Sequence, residues 1–319
     1  MENKKRKICF RADAGAEIGY GHFIRTLALA DMLKDDFDCV FYTQSPSDYQ
    51  RKEAEKVCEL VALPADDSRF QLFLDCLKGD EIVVLDNYFY TTDYQRAIKD
   101  KGCKLVCIDD MHDKHYVADA VVNHGPVTAD EFDCEPYTKL YLGDGYKLLR
   151  EPFRRPVRSV KRNQTAIVNL GGADPFKLTD KVVSLLLQTG APYHILVILG
   201  DRVSLSPENR ERVEVRSRLS AEQMAELFET SAFAILPGST VSIEAMSRGI
   251  PLMMGYQVDN QEEGYKKSVM EGKFIPLGNL HHLTLVRLKE AINQLSVFTP
   301  YVLDTSQIQY NYIKLFKSL

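Results

Sequence analysis

The sequence predicts an α/β protein built from two Rossmann-like domains that face each other across a central cleft. Short apolar runs of four to six residues alternate with helix-length segments along the chain, the pattern of parallel sheets covered on both faces. The length of 319 residues exceeds one typical domain and fits two of about 150 residues each. A basic, proline-containing segment, Glu151 to Asn163, interrupts the pattern midway.

The first half contains six candidate strands and one strongly periodic helix. The helix runs from about His22 to Leu33, with apolar residues at Ile24, Leu27 and Leu33 at helical spacing. The candidate strands are 7–11, 39–42, 82–85, 105–108, 120–122 and 140–142.

Polar residues follow the ends of these strands. They are Asp13, Asp86 to Tyr88, Asp109-Asp110 and Asn123-His124. In open α/β sheets ligands bind outside the carboxyl ends of the strands. We therefore expect these side chains to share one rim.

The turn Gly19-Tyr20-Gly21-His22 joins the first strand to the periodic helix. Glycine permits positive φ and close approach of a ligand, and the start of a helix favours a bound anion. The same positive end disfavours an imidazolium, so His22 should tend to its neutral, proton-accepting form. These features favour a general base at this position.

A structural role for this turn is the alternative. Glycine turns are common between strands and helices, and a histidine at a helix start is often only a cap. The dinucleotide-binding fingerprint is excluded, because neither glycine nor alanine stands at its third glycine position, just before Arg25.

The segment from Glu151 to Asn163 is predicted to be the linker between domains. We expect an N-terminal domain over 1–153, a second over 154–303, and a C-terminal helix within 304–319 that packs back onto the first. Candidate strands of the second domain are 166–170, 195–199, 212–215, 233–236 and 252–254.

Pro237-Gly238-Ser239-Thr240 follows a buried run and opens a helix that Gly249 and Pro251 end. Ser239 or Thr240 would cap this helix, and its free N–H groups would accept a phosphate. Glu244 lies one turn further on the same face, where a carboxylate could accept both hydroxyls of a ribose. The alternative is an ordinary capped helix with a solvated glutamate.

A second glycine turn, Gly171-Gly172-Ala173-Asp174-Pro175, resembles a loop that approaches a nucleotide. Asp174 is predicted to be the N-cap of the next helix and Pro175 its first residue. Asp174 could equally serve as a cap and nothing more.

The segment from Asp109 to His115 contains the residue types of a metal site, but its spacing matches no zinc pattern. We therefore predict no metal ion and no cofactor. Asn123, in the neighbouring loop, could bond a hydroxyl or amide of a substrate.

Composition narrows the class of protein. A hydrophobic share of 45%, a charged share of 27% and a net charge of −5 fit a globular protein without a basic surface for nucleic acid or anionic membranes. No run of about 18 apolar residues is available for membrane insertion. Seven scattered cysteines are typical of reduced thiols, and alternation should bury one of Cys103 and Cys107. These features predict a cytoplasmic protein.

Taken in order, several short motifs resemble one family. They are R-x-D, IGYGH-x-x-R, DNY, DD, VVNHG, GDGY-x-LLREPF, NLGGADP, PGST-x-x-x-E and DNQ, spread over about residues 8 to 270. This set resembles the UDP-2,4-diacetamido-2,4,6-trideoxy-β-L-altropyranose hydrolases of pseudaminic acid biosynthesis, which have the glycosyltransferase-B fold.

The resemblance implies metal-independent hydrolysis at the anomeric carbon, with inversion and release of UDP. It implies that His22 activates the water, that Tyr88 and Asn123 line the sugar pocket, and that Ser239, Thr240 and Glu244 hold UDP. We predict that His22 and Tyr88 are the catalytic residues. Asn260 and Gln261 would lie near the phosphates or the sugar. The further substrate contacts that we predict are Asp13, Gly19, Gly21, Arg25, Gly171 and Gly172.

Two other functions remain open at this point. A glycosyltransferase could use the same donor site with a sugar or lipid acceptor in place of water. A non-catalytic sugar-nucleotide-binding protein is a rival from another class, although such a protein has no need for a base such as His22 beside Tyr88.

Overall fold

A computed structural model describes residues 5–15, 19–171, 174, 176–200, 203–258 and 262–319. The chain divides into two compact units. Unit 1 comprises residues 1–151 and 306–319, and unit 2 comprises residues 152–305. Each contains a parallel β-sheet with helices, which confirms the predicted pair of α/β domains.

The sheet of unit 1 has seven parallel strands in the order β3-β2-β1-β4-β5-β6-β7. Their bounds are β1 Lys7–Ala12, β2 Asp38–Gln44, β3 Glu59–Leu63, β4 Ile82–Asp86, β5 Lys104–Ile108, β6 Ala120–Asn123 and β7 Lys139–Leu142. The chain winds outward from β1 to β3 and then returns to place β4 beside β1. The strand order therefore reverses between β1 and β4, where such sheets bind ligands.

Four helices of unit 1 follow its first strands: α1 Gly21–Leu33, α2 Asp48–Ala54, α3 Ser68–Cys76 and α4 Thr92–Asp100. Helix α1 begins one residue before the predicted start at His22. Strand β3 was not predicted, because it lies at the sheet edge and only Leu63 of its five residues is buried. An edge strand lacks the continuous buried run on which strand prediction depends.

Unit 2 repeats the same winding with six parallel strands in the order β10-β9-β8-β11-β12-β13. The strands are β8 Thr165–Val168, β9 His194–Leu199, β10 Glu214–Ser217, β11 Phe233–Pro237, β12 Leu252–Tyr256 and β13 Ile275–Asn279. Its helices are α5 Leu178–Gln188, α6 Pro207–Arg210, α7 Ala221–Thr230, α8 Thr240–Ser247, α9 Glu262–Met270 and α10 Leu285–Gln294. Strand β13 was also missed, since Pro276 and Gly278 interrupt its apolar pattern.

The last helix, α11 Ile308–Lys317, belongs to unit 1 and packs against α1. The Tyr312 hydroxyl donates to the carbonyl of Tyr146 at 2.6 Å, and the rings of Phe316 and Phe37 lie 6.1 Å apart. The C-terminal residues therefore complete the core of a unit whose other residues end at position 151.

The basic segment after position 153 belongs to unit 2 and is hydrogen-bonded to other parts of that unit. Arg162 donates to the carbonyls of Phe228 and Ser231 at 2.7 and 2.9 Å. Arg158 bonds the carboxylate of Glu229 at 2.7 Å, which also pairs with buried Arg248. These contacts account for two of the four arginines of this segment.

Cys103 and Cys107 are both buried, so the expectation that only one of them would be buried is wrong. The two residues are four positions apart, so the two-residue period of an extended chain puts both on one face, where they belong to the same apolar cluster. All seven cysteines are free. No helix in the described ranges is long and apolar enough to cross a bilayer.

Candidate active site

The loops after β1, β4 and β5 meet at one rim of unit 1, as predicted from the polar residues at the strand ends. A pocket lies there, beside the position where the strand order reverses. It is lined by His22, Arg25, Leu85, Asp86, Asn87, Tyr88, Tyr90, Gln95, Cys107, Ile108, Asp109, Asp110, Lys114 and Tyr116.

His22 lies in the first turn of α1 and is 5% exposed. Its Nδ1 atom is 2.7 Å from Oδ1 of Asp86, the last residue of β4. The rings of His22 and Tyr88 meet edge to face, with 4.6 Å between their centroids. The structure therefore brings together the two predicted catalytic side chains and adds a carboxylate to them.

Asp86 is fully buried and accepts hydrogen bonds from three side chains. Besides His22, Nε of Arg25 and Oγ1 of Thr26 each lie 2.7 Å from its Oδ2 atom. Burial alone would raise the pKa of Asp86, but the Arg25 guanidinium and His22 hold it well below its usual range. Asp86 is thus a carboxylate near neutral pH.

The ionised state of Asp86 decides which nitrogen of His22 has the proton. A contact of 2.7 Å between Nδ1 and a carboxylate oxygen requires a proton on Nδ1. The lone pair of the neutral ring is then on Nε2, which makes no hydrogen bond to the described part of the chain. Such an imidazole can accept a proton from a bound water or hydroxyl.

Arg25 connects Asp86 to a second carboxylate. Its Nη1 atom lies 2.6 Å from both oxygens of Asp110, and Oδ2 of Asp110 accepts a hydrogen bond of 3.2 Å from the Tyr88 hydroxyl. Burial, and then Asp110, raise the pKa of Tyr88, so its phenol stays protonated. Tyr88 is 50% exposed and gives the rim an aromatic surface beside His22.

Asp13 is fully buried and its carboxylate is engaged by the protein. It forms a two-pronged ion pair with Arg11 and accepts a hydrogen bond of 2.7 Å from the backbone N–H of Gln44. Its own N–H donates to Oδ1 of Asn87 at 2.7 Å. As placed, Asp13 holds the loops after β1, β2 and β4 together.

Asn123 is similarly occupied at the end of β6. Its Nδ2 atom donates to Asp109 at 3.3 Å, and its Oδ1 atom accepts from the N–H of Gly125 at 2.7 Å. Asp109 in turn accepts from the Tyr116 hydroxyl at 2.5 Å. These groups stabilise the loops around the pocket.

His124 follows Asn123 and is also buried. Burial, and then Lys147 and Arg25, lower the pKa of His124 to about 3. Its Nδ1 atom is buried and has no hydrogen-bond partner among the described residues. His124 is therefore a neutral imidazole near neutral pH.

The two glycines that precede His22 differ in conformation. Gly19 has a φ of +76° and exchanges two backbone hydrogen bonds with Gly15, whereas Gly21 is the first residue of α1 and has no left-handed φ. A Cβ atom added at either position would meet no atom of the described residues within 4 Å. At these two glycines, the described part of the chain thus leaves room beside the backbone.

In unit 2, the N-cap residue of helix α5 is Lys177, so the prediction of Asp174 at that position is wrong, although the Asp174 side chain does bond the first turn of the helix. Its two carboxylate oxygens accept the N–H groups of Leu178 and Thr179, each at 2.8 Å. The helix begins at Leu178, however, so Pro175 is not its first residue. Gly171, with a φ of +100°, precedes this loop, while Gly172 and Pro175 lie outside the described residues.

Helix α8 begins at Thr240, with Ser239 at the N-cap position. The Ser239 side chain makes no capping hydrogen bond and is exposed. Glu244 is 3% exposed, so the alternative of a solvated glutamate is wrong. The start of α8 lies at the end of β11, where the strand order of unit 2 reverses between β8 and β11.

Asn260 and Gln261 lie outside the described residues. Gln257, just before them, donates from Nε2 to the carbonyl of Leu170 at 3.0 Å and thus links the segments after β8 and β12. No group of three or more His, Cys, Asp or Glu side chains within the described ranges is arranged to hold a metal ion.

Sequence reasoning assigned no role to Asp86, Thr26 or Asp110 individually. Asp86 and Asp110 were placed at the rim by their position after strands, but nothing local pairs them with His22 or Arg25. A helical signal was available for Thr26, which lies four residues after His22 and therefore on the same face of α1.

The chain matches no protein-family model. It is 27% identical over 281 residues to an uncharacterized protein of Methanocaldococcus jannaschii, covering 81% of this chain and 57% of that protein's length. It is 26% identical over 281 residues to the spore coat polysaccharide biosynthesis protein SpsG of Bacillus subtilis, covering 84% and 82%.

The UDP-2,4-diacetamido-2,4,6-trideoxy-beta-L-altropyranose hydrolase of Campylobacter jejuni is 24% identical over 275 residues, covering 80% of this chain and 93% of that enzyme. The resemblance read from the ordered motifs is thereby confirmed as a distant similarity.

Solved structures show the same fold. MurG of Acinetobacter baumannii has a TM-score of 0.63 at 11% identity, covering 98% of this chain and 100% of that one. A UDP-glucosyltransferase from Polygonum tinctorium has a TM-score of 0.62 at 12% identity, covering 100% of this chain and 94% of that one. A putative UDP-N-acetylglucosamine 2-epimerase from Listeria monocytogenes has a TM-score of 0.63 at 10% identity, covering 98% of this chain and 96% of that one. One fold thus accompanies several reaction classes, and the chemistry has to be argued from the site.

Proposed function

We propose that the chain acts on a sugar nucleotide in polysaccharide biosynthesis, and that it hydrolyses a UDP-linked 2,4-diacetamido-2,4,6-trideoxy sugar in the cytoplasm. The names of the relatives from Bacillus and Campylobacter support the general assignment. The finer assignment rests on the Campylobacter hydrolase and on the ordered motifs. The products would be UDP and the free sugar, with inversion at the anomeric carbon.

The observation that carries this proposal is the contact between His22 and Asp86. A buried carboxylate at Nδ1 leaves Nε2 as the proton-accepting atom at the rim of unit 1. A sugar-binding protein without catalytic activity needs no imidazole with a fixed tautomer. An enzyme that activates water does.

The reaction balances without further groups. The water oxygen forms a bond to the anomeric carbon, and its proton passes to Nε2 of His22. The bond between that carbon and the UDP oxygen breaks, and its electron pair remains on the phosphate. Because a diphosphate held by N–H groups is a good leaving group, the second carboxyl group of a glycosidase is not needed.

In this proposal the ligands of UDP belong to unit 2. Ser239 and Thr240 at the start of α8 would bind the diphosphate, and Glu244 would accept the ribose hydroxyls, with Gly171 and Gly172 allowing close approach. Asn260 and Gln261 would contact the phosphates or the sugar. In unit 1, Tyr88 and the open backbone at Gly19 and Gly21 would contact the sugar.

Asp13 and Asn123, which were predicted to touch the substrate, are assigned a supporting role here. Both are buried, and each is hydrogen-bonded to neighbouring loops. They would shape the sugar pocket through those loops.

The test is incubation with UDP-2,4-diacetamido-2,4,6-trideoxy-β-L-altrose or UDP-N-acetylglucosamine in ¹⁸O-water, with and without EDTA. We expect UDP release from the first substrate only, ¹⁸O in the free sugar, and no effect of EDTA. Label in the phosphate would contradict attack at carbon. Release that requires an added sugar or lipid acceptor would favour a glycosyltransferase, in which His22 deprotonates an acceptor hydroxyl.

A further inference from the structure

Arg25 is placed so that carboxylates occupy its guanidinium. It is 5% exposed. Its Nε and Nη2 atoms donate to the carboxylate of Asp86 at 2.7 and 2.5 Å, and its Nη1 atom donates to Asp110 at 2.6 Å. Every nitrogen of the guanidinium is thus within hydrogen-bond distance of a protein carboxylate. This arrangement does not fit the substrate contact expected from the sequence.

We propose that Arg25 is a positioning residue that joins Asp86 to Asp110 and thereby fixes both the tautomer of His22 and the orientation of Tyr88. The contacts form a closed ring: His22 to Asp86, Asp86 to Arg25, Arg25 to Asp110, Asp110 to the Tyr88 hydroxyl, and the Tyr88 ring back to His22. The effect of Arg25 on catalysis rests on the proposed function, whereas its effect on the tautomer of His22 does not.

The first arm of the proposal concerns charge. Asp86 is fully buried, and an isolated carboxylate in such a place prefers the protonated form. Arg25 supplies the adjacent positive charge that keeps it ionised. Without that charge, a protonated Asp86 would donate its O–H to Nδ1 of His22. The remaining ring proton would then sit on Nε2, and the base would be lost.

Other ionisable groups also face Asp86, and all of them remain in Arg25→Gln and Arg25→Lys. They are Tyr88 and Tyr90 after β4, Cys107 and Asp110 at the end of β5, His124 after β6 and Tyr312 of α11. Arg25 is the cation among the groups that contact Asp86 in the described residues. Its removal is therefore the change with the largest effect on that carboxylate.

The second arm concerns Tyr88. Asp110 has a side chain that is 29% exposed, and it accepts from Arg25 on one side and from the Tyr88 hydroxyl on the other. Replacing Asp110 by asparagine leaves Arg25 wholly to Asp86, so the proton on Nδ1 should stay. Tyr88 would lose its charged acceptor. Loss of Arg25 should therefore change the tautomer of His22, whereas Asp110→Asn should not.

The experiment uses the full chain labelled with ¹⁵N-histidine, with His22→Gln to assign the His22 signals. At pH 7.5 we expect Nδ1 of His22 to be protonated in the parent and in Asp110→Asn, and Nε2 to be protonated in Arg25→Gln. Arg25→Lys keeps a cation and should keep the parent tautomer, so it separates the loss of the charge from the change of side chain. Arg25→Met is the neutral variant for the case in which Arg25→Gln does not fold. Arg96→Gln, on exposed α4, is the matched control.

Kinetics against pH supply the second readout. Arg25→Gln should lower kcat about tenfold or more at pH 7, and kcat should recover at higher pH as Asp86 ionises. In Asp110→Asn, the pH below which kcat falls should be the same as in the parent. The parent tautomer in Arg25→Gln, or a changed tautomer in Arg25→Lys, would overturn the proposal. So would a raised KM with unchanged kcat in Arg25→Gln, which would make Arg25 a substrate ligand. If the parent releases no UDP, the proposed function fails, while the ¹⁵N signals still decide this inference.

Discussion

Nδ1 of His22 lies 2.7 Å from Oδ1 of Asp86, although 64 positions separate the two residues in the chain. One stands at the start of α1 and the other at the end of β4, and the pairing of β1 with β4 brings these ends together. The proton-accepting character of His22 therefore depends on the topology of the sheet as much as on its place at a helix start.

Replacing His22 with glutamine should remove turnover while leaving UDP affinity nearly unchanged. Loss of a general base typically costs about 10²–10⁴ in rate, and the proposed UDP ligands belong to unit 2. The measurement is kcat for UDP release together with calorimetric titration of UDP. Full activity in His22→Gln would remove the general-base role.

Asp86→Asn should lower kcat by a comparable factor, up to about 10⁴, because the amide does not hold the proton on Nδ1. The matched control is Asp119→Asn, in which a carboxylate bonded to Lys99 and Lys104 is changed elsewhere in unit 1. We expect the control to keep kcat within about twofold, since Asp119 is absent from the pocket lining. Equal losses in both variants would point to general destabilisation.

The stability of the protein should decrease below about pH 6.5 in part because of His124. Its pKa is lowered to about 3 in the folded protein, so the unfolded chain binds the extra proton between these two values. Urea unfolding of parent and His124→Gln at pH 7.5, 6 and 4.5 measures this contribution. The parent should lose up to about 1.4 kcal/mol per pH unit more than the variant in that range. Parallel curves would mean that His124 is protonated in the folded state.

Gly21→Ala should leave stability nearly unchanged and weaken substrate binding. A Cβ at position 21 meets no atom of the described residues within 4 Å, and the residue is helical. A loss of substrate affinity would therefore point to contact with a ligand. Gly19→Ala is the contrast, since its φ of +76° makes any side chain strained at a cost of about 1 kcal/mol. Melting temperatures and KM separate the two effects. Unchanged KM in Gly21→Ala would exclude close approach of substrate to this turn.

Glu244→Ala should weaken UDP binding by about 1 to 3 kcal/mol if its carboxylate accepts ribose hydroxyls. Glu226→Ala, on the exposed surface of α7, serves as the control and should bind UDP like the parent. Titration calorimetry with UDP and with uracil locates the loss. Equal affinity in Glu244→Ala and parent would remove the ribose assignment.

The buried strands could be predicted from sequence because each contributes a continuous apolar run, as in Ile82–Asp86. The edge strands β3 and β13 could not, since partial exposure, proline and glycine break that pattern. The start of α5 was predicted three residues too early, at Pro175 instead of Leu178. The Asp174 side chain bonds the first turn from four residues before Leu178, a distance that simple capping rules do not cover.

The sequence by itself determined the two α/β domains, the shared rim at the strand ends and the position of His22 at a helix start, because these follow from local periodicity and from the rule that parallel strands end on one side. Only the tertiary structure decided which polar groups meet. The pairing of β4 with β1 and β5 set Asp86 beside His22 and Arg25 and set Asp110 beside Tyr88. Burial then fixed their charges, since a carboxylate excluded from water stays ionised only beside a cation, and no local pattern encodes that neighbour.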